Sequence, residues 1–320
     1  MTFNIWECGD RVKDGKEKIV KHIKLVNPDV VCLQEIKYGE DDCFENLTTQ
    51  MGPNWNHVLH QSGYADTAIM TRHPIYYDSY SQTDYALGIK LFYEQPTTKK
   101  ALNVTVWSAH FDWKNWGPDA ACNRMCTDAG KEACDRALMA GEMDLGTSDY
   151  NGRLYNTQYL LANEQFRQAL RNSDQEPLIL GGDFNTPSHL DWTDDVKDLN
   201  CDVSFKWPTT AMLEEAGLID SFRQLHPDVR KYPARTWSTC NKQQQQWGYT
   251  IPTTQARIDI IFYKSALLRP TKSDMYFGTE PVMYMPSHEQ NDWPSDHAAF
   301  VTDFSIKVPV TRIKDNKLPL

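Results

Sequence analysis

Asp183 and Asn185 close the apolar run in "LILGGDFN". Residues two apart on an extended chain point to one face, so this pair would set a carboxylate acceptor beside an amide donor at the lip of a buried strand. Other strand-like runs end the same way. Asn4 follows "MTF", Glu35 follows "VVCLQ", His110 follows "VTVWSA", Asp259 sits in "ARIDIIF", and Asp296-His297 ends "WPSDH" ahead of the last run. Carboxylates and amides hold cations through oxygen, and imidazoles move protons. Each residue alone has a plainer reading: Glu35 as a helix N-terminal charge, His110 as a structural histidine, Asp259 as a partner of Arg257. Six such strand ends in one chain are harder to dismiss, because loops at one sheet edge are where sites assemble.

The elements that must position these residues are legible in outline. "MTFNIW" is β-rich, and "GKEKIVKHIKLV" places Ile19, Ile23 and Val26 at helical spacing before Asn-Pro-Asp stops it. "VVCLQEI" is nearly continuous in apolar residues, as expected of a strand covered on both faces. "DTAIMTRHPI", "ALGIKLFYE", "ALNVTVWSAHF", "LILGGDFN", "RIDIIFY" and "AAFVTDFSI" read as further strands. "TQYLLANEQFRQALRNSD" reads as one amphipathic helix, "TAMLEEAGLIDSF" as a helix then a turn, and the glutamine patch at 243–246 as a loop. Strands with covering helices in each half predict an α/β, four-layer α+β sandwich: two packed, mainly antiparallel β-sheets flanked by helices. A doubly wound sheet is the rival, but it would want a glycine-rich phosphate turn after the first strand, and "WECG" is not one. We expect a single domain over 1–308, a cysteine-containing insert at about 112–156 with a short helix near "KEACDRALMAGEMD", and a polar tail at 309–320.

The 320 residues are 40% apolar, ample for a large core, and the net charge of −10 argues against a broad electrostatic grip on nucleic acid. No apolar run is long enough to span a membrane. The chain opens inside a strand-like run, so either Met1 is the true start or a leader has been removed. Of eight cysteines, Cys32 in "DVVCLQE" reads as a buried thiol. Cys122, Cys126 and Cys134 lie in a polar segment where disulfides are expected; zinc is the alternative, weakened because no histidine accompanies them at ligand spacing. The sequons at Asn46 and Asn103 decide little, since chance alone supplies about two in a chain of this kind. The insert cysteines and the abrupt start point to an extracellular protein.

Together "TFNIW", "LQE", "SAHFD", "GGDFN", "RIDII" and "SDH", with "TRHPI" and "RTWS", resemble the endonuclease/exonuclease/phosphatase superfamily and its DNase I-like fold. The motifs follow the family order from Thr2 to His297 and look like a less studied hydrolase branch. The resemblance implies hydrolysis of a phosphate ester with Mg²⁺ or Mn²⁺. It places Glu35 and Asp296 at the metal and brings Asn4 there by its oxygen, or to phosphate by its amide. Asp183 would orient or deprotonate the attacking water, and Asn185 would steady that water or a phosphoryl oxygen. His297 would stabilise developing charge or act as the acid–base residue, with Asp259 fixing its tautomer, and His110 would contact phosphate or protonate the leaving oxygen. One departure concerns the metal. Some nucleases of the family carry a carboxylate two positions after the first-strand asparagine, where this chain has Trp6. Glu7 substitutes only if the strand bends.

The substrate is less legible. The densest lysine cluster, "KDGKEKIVKHIK", alternates with acids and reads as a solvated helix face. The insert leaves directly from His110, so it starts at the catalytic rim and would roof it. There Trp113 and Trp116 would stack on substrate or form the insert's own small core. A roofed site favours a small phosphoester or a lipid headgroup phosphodiester, acted on by a monomer. A nuclease is the alternative, and a non-catalytic binding module of the same fold is the rival from another class.

Overall fold

The computed structural model describes residues 1–36, 43–61, 66–122, 130–143, 152–246 and 249–307. Its strands in chain order are β1 (Thr2–Asn4), β2 (Val30–Gln34), β3 (Asn56–Leu59), β4 (Ala68–Thr71), β5 (Ile75–Thr83), β6 (Ala86–Glu94), β7 (Ala101–His110), β8 (Leu178–Asp183), β9 (Ile219–Asp220), β10 (Gln243–Gln246), β11 (Tyr249–Pro252), β12 (Asp259–Lys264), β13 (Leu268–Tyr276) and β14 (Ala299–Ile306). Two six-stranded sheets form, in the orders β13-β14-β1-β2-β4-β3 and β5-β6-β7-β8-β12-β9. The β1–β2 and β7–β8 pairs are parallel and the other pairs antiparallel.

Side-chain parity builds the four layers. On β1 and β2, Phe3, Val31 and Leu33 pack outward beneath Ile19, Ile23 and Leu47 of the helices Gly15–Val26 and Cys43–Met51. On the other sheet Trp107, Leu178, Leu180, Ile260 and Phe262 pack outward against Leu160 and Phe166 of the helices Gly152–Ala162 and Glu164–Asn172. The alternate residues fill the gap between the sheets: Cys32, Ile69, Ile89, Val104 and Val106, with Ile179 against them. That parity carries straight into the site, because His110, Asp183 and Asp259 continue the inward-facing series of β7, β8 and β12.

One glycine is required by packing. Gly88 on β6 lies opposite Trp107 on β7, and a Cβ there would meet the indole at 2.1 Å. Gly88→Ala is expected to destabilise by about 1–3 kcal/mol, as overpacking does, read as a lower midpoint in chemical denaturation with an unchanged slope.

Three local expectations are corrected. The glutamine run is a strand, paired with β11 in a two-stranded sheet. "TQYLLANEQFRQALRNSD" is two helices, because the Asn163 side chain accepts from Phe166 N and starts a new one. "DTAIMTRHPI" is divided, with β4 ending at Thr71 and β5 starting at Ile75. The expectation of disulfides in the insert holds at two of its cysteines: Cys122 is bonded to Cys201 across 79 residues, and Cys134 is also disulfide-bonded. A second bridge joins Cys8 to Cys43, while Cys32 and Cys240 are free and buried. Cys126 and the tail at 309–320 lie outside the described residues.

Among the described residues the insert has its own helices, Gly117–Cys122 and Lys131–Met143. Arg153, fully buried, pins it down. Its guanidinium bonds Glu142 Oε1 at 3.0 Å and donates to the carbonyls of Asp112, Lys114 and Asn115. Those carbonyls belong to the segment that leaves His110, so the insert fixes the exit path from the candidate site.

Candidate active site

The inward-facing polar residues meet where the gap between the sheets opens. In register, His110 pairs with Asp183 across β7–β8, and Asp183 with Asp259 across β8–β12. The other sheet contributes Asn4 from the end of β1, Glu35 just beyond β2, and Asp296-His297 just before β14. Asn4 ties the two sides together: its Nδ2 donates across the gap to Asp183 Oδ2 at 3.0 Å and, on its own side, to Glu35 Oε1 at 3.0 Å.

Asp183 is the hub. It is 1% exposed, and its Oδ2 lies 3.7 Å from Nε2 of His110 and 3.7 Å from Nε2 of His297. Each imidazole is held from behind by its own carboxylate. His297 Nδ1 bonds Asp259 Oδ2 at 3.0 Å, and His110 Nδ1 bonds Asp66 at 2.9 and 3.1 Å. Asp259 therefore belongs to His297, while Arg257 turns to Asp191 and Asp220. Asp66 escaped the sequence reading. Its one signal was its place just ahead of β4, a strand antiparallel to β2, which puts it at the edge where Glu35 leaves.

The electrostatics follow from burial against charge. Burial opposes a charge on His110, but Asp66, Asp183 and Glu35 outweigh it and lift the group to about 10. His297 is raised well above its ordinary value in the same way, by Asp259, Asp183 and Asp296 against burial. Burial pushes Asp183 up to about 6, an effect offset in part by His297. Burial also raises Asp296 to about 6, with Glu35 and Asp183 adding to the shift.

The donor set suits a hard divalent cation. Asp296 Oδ2 accepts from Trp237 Nε1 at 2.9 Å, whereas Asp296 Oδ1 is buried without a hydrogen-bond partner. An unpartnered carboxylate oxygen in the field of two further carboxylates calls for a cation, and oxygen donors match Mg²⁺ or Mn²⁺. Asp183, Asp259 and His297 also bring ligand atoms within 4.8 Å of one another. There His297 Nδ1 is held by Asp259 Oδ2 at 3.0 Å, and its Nε2 faces Asp183 Oδ2 at 3.7 Å. Glu35 and Asp296, whose charges act on one another, stand outside that group.

Two predicted site residues take other postures. The Asn4 oxygen accepts from Trp6 N at 3.0 Å, which turns its amide toward the carboxylates rather than its oxygen toward a metal. Asn185 does not extend beside Asp183. The strand ends at Asp183, Asn185 adopts φ 50°, its N–H donates to Asp183 Oδ1 at 2.9 Å, and its Nδ2 donates to the Phe111 carbonyl at 2.9 Å. It braces Asp183 and joins β8 to the exit of β7. The bend after β1 is present, with Trp6, Glu7 and Cys8 all at positive φ. Yet the Glu7 carboxylate pairs with Arg11, and it is the Glu7 N–H that reaches Glu35, at 2.8 Å from Oε2. Glu35 itself has φ 62°, so the backbone is strained on both sides of the cleft, as at many functional sites.

Of the two tryptophans, Trp113 is 67% exposed, and neither it nor Trp116 joins the insert's apolar cluster around Leu138 and Trp207. Trp116 lies edge-on to Trp237, ring centroids 5.3 Å apart. Trp237, to which sequence reasoning gave no role, thus links the insert to Asp296. Ser295 is a further support, its hydroxyl donating to the Asn4 carbonyl at 2.7 Å and accepting from His297 N at 3.0 Å.

The profile of the endonuclease/exonuclease/phosphatase family matches residues 1–297. An uncharacterised protein of Caenorhabditis elegans is 38% identical over 306 residues, covering 95% of this chain and 90% of its own. TDP2 of D. rerio, solved with a single-strand DNA product, superposes with a TM-score of 0.52 at 16% identity, over 95% of this chain and 97% of that one. The 3'-5' exonuclease NExo of Neisseria meningitidis gives 0.50 at 18% identity, over 95% and 98%. At such identities these structures speak to the fold, which is the DNase I-like one.

Proposed function

The chain belongs to the endonuclease/exonuclease/phosphatase family of phosphoric ester hydrolases, and from that premise we propose that it is a divalent-metal-dependent phosphoesterase that acts by activated-water attack on a small phosphoester or a lipid headgroup phosphodiester. The observation that carries this reading is the placement of Asp183 between two imidazoles, each backed by its own carboxylate, beside an unpartnered Asp296 oxygen.

Glu35 and Asp296 would hold Mg²⁺ or Mn²⁺, with Asp183 at its edge. When bound, the cation would neutralise charge on the phosphoryl oxygens and help to orient the ester. Asp183 accepts the proton of the attacking water. His297, kept by Asp259 with Nε2 facing the cleft, and His110, kept likewise by Asp66, donate hydrogen bonds to the phosphoryl group, and one of them protonates the leaving oxygen. Asn4 and Asn185 hold Asp183 in place. The exposed Trp113, on the segment leaving His110, offers a face to the leaving group, and the acidic chain favours a small or lipid ester over duplex DNA. The two named disulfides support an oxidising, extracellular setting. We take the protein to act as a monomer.

The test is a panel of p-nitrophenyl esters, inositol phosphate, sphingomyelin, phosphatidylcholine and plasmid DNA, each with Mg²⁺ or Mn²⁺ and with a chelator. Chelator-sensitive hydrolysis of a small or lipid ester is expected. Plasmid nicking at an equal or greater rate would overturn the substrate assignment, and no metal-dependent turnover on any substrate would favour the binding module. Metal should also stabilise the fold by mass action, by about 3 kcal/mol at a hundredfold excess over its Kd. A thermal midpoint that rises with Mn²⁺ and falls back with chelator checks this.

A further inference from the structure

In "RTWS" a threonine hydroxyl and a tryptophan indole stand side by side. The fold wedges this segment between the starts of two strands from different sheets, β12 and β14. Trp237 exchanges both backbone hydrogen bonds with Ala256, each 3.0 Å. The Thr236 hydroxyl accepts from N of Ile258 and of Asp259, at 3.0 and 3.2 Å, where β12 begins. On the other side Ala298 N donates to the Thr236 carbonyl at 2.8 Å, and Thr239 N to the Asp296 carbonyl at 2.7 Å. The Thr239 hydroxyl donates to the Ser295 carbonyl at 2.9 Å. The backbone of Trp237 is therefore fixed to both halves of the site.

Its side chain is held as well. Trp116 meets the Trp237 ring edge-on, with centroids 5.3 Å apart, and the His297 ring lies tilted against it at 6.4 Å. From that position Trp237 Nε1 donates to Asp296 Oδ2 at 2.9 Å. Asp296 Oδ1 is buried with no hydrogen-bond partner. His297 Nε2 stands 4.0 Å from it, too far for a hydrogen bond. The carboxylate thus has one oxygen engaged by a fixed donor and the other unengaged.

We propose that Trp237 is a positioning residue for the cation: by holding Asp296 Oδ2 it presents Asp296 Oδ1 to the metal. The inference rests on the phosphoesterase reading above, in which Asp296 is a ligand. A carboxylate left to itself rotates and offers either oxygen or both. A donor on one oxygen stops that rotation, and such outer partners orient the groups that hold a metal. The indole N–H suits the task. It only donates, so it neither competes for the cation nor turns to accept, as a hydroxyl would. Its bond to an ionised carboxylate is also about twice as strong as one between neutral groups. Trp237 therefore acts through its N–H, not through its ring.

The test compares the parent with Trp237→Phe, which keeps an aromatic ring and removes the N–H. Mn²⁺ affinity is read without substrate, from the free-ion paramagnetic resonance signal. A loss of about 10–100-fold is expected in Trp237→Phe, the range for removing an outer partner of a metal site, with a metal-free thermal midpoint close to the parent's. A tryptophan that only packs, or only offers a face to substrate, would leave the affinity unchanged. In the parent, the indole N–H resonance that Trp237→Phe lacks should shift as Mg²⁺ is added, over the same concentrations at which Mg²⁺ displaces Mn²⁺. Equal Mn²⁺ affinity in the two proteins, or an indole resonance that Mg²⁺ leaves in place, would overturn the inference and leave the cation site standing. Should Trp237→Phe fail to fold, the Mg²⁺ response of the indole resonance, assigned from triple-resonance spectra, decides alone. A parent that binds no Mn²⁺ would remove the cation site itself, and this inference with it.

Discussion

Asp183→Asn is expected to lower kcat by about three orders of magnitude, the middle of the range for loss of a positioned general base. The carboxylate faces both imidazoles, at 3.7 Å from each, and it also takes the Asn4 amide and the Asn185 N–H. An asparagine of the same shape keeps most of the packing but cannot accept the water's proton. It also removes one of the charges that raise the pKa of His110 and of His297. Initial rates at saturating metal, on whichever ester the panel identifies, measure the loss. A variant within tenfold of the parent would show that Asp183 is not the base. A thermal midpoint close to the parent's separates this chemical defect from misfolding.

Arg257→Met should produce the largest loss of stability, about 3–5 kcal/mol, the range for removing one partner of a buried ion pair. Arg257 is fully buried and forks between two acids: Nε to Asp191 Oδ2 at 2.8 Å, Nη2 to Asp191 Oδ1 at 3.1 Å and Nη2 to Asp220 Oδ2 at 2.7 Å. Arg223 also bonds Asp191, so the variant would leave two carboxylates to share one guanidinium. Arg257→Lys is expected to recover only part of the loss, since an ammonium cannot match the planar fork. The network lies two positions before Asp259, and a loosened β12 would also release the hold on His297. Denaturant titration measures the stability. A midpoint within about 0.5 kcal/mol of the parent, the scale of an ordinary surface change, would mean that the pairs only offset their own desolvation.

Most of the site was legible because strand parity is a local property. Asn4, Glu35, His110, Asp183, Asp259 and Asp296-His297 each follow or precede a recognisable apolar run, and all of them converge. Residues whose position depends on chain reversal were harder to read. Asn185 breaks the extended pattern because its amide finds the Phe111 carbonyl and its backbone turns to positive φ. Asp66 announces itself through no motif; its meaning comes from His110, 44 positions away. The Cys122–Cys201 bridge joins segments 79 residues apart, and no spacing rule links them. The glutamine strand was hidden because strand propensity is set by the partner, here Tyr249–Pro252, more than by the residues themselves. The break at Asn163, by contrast, was visible in principle, since asparagine before "EQF" is a helix-start signal.

The central claim is that Glu35 and Asp296, with Asp183 beside them, form one cation site at the open end of the gap between the sheets. Titration of Mn²⁺ into the purified protein, followed by the loss of the free-ion paramagnetic resonance signal, tests it most directly. We predict saturable binding that Mg²⁺ displaces, and affinity at least about tenfold lower in both Glu35→Gln and Asp296→Asn, the loss expected when a group that holds or orients a metal is removed. Binding of equal strength in the parent and both variants, or none in the parent, would contradict the account.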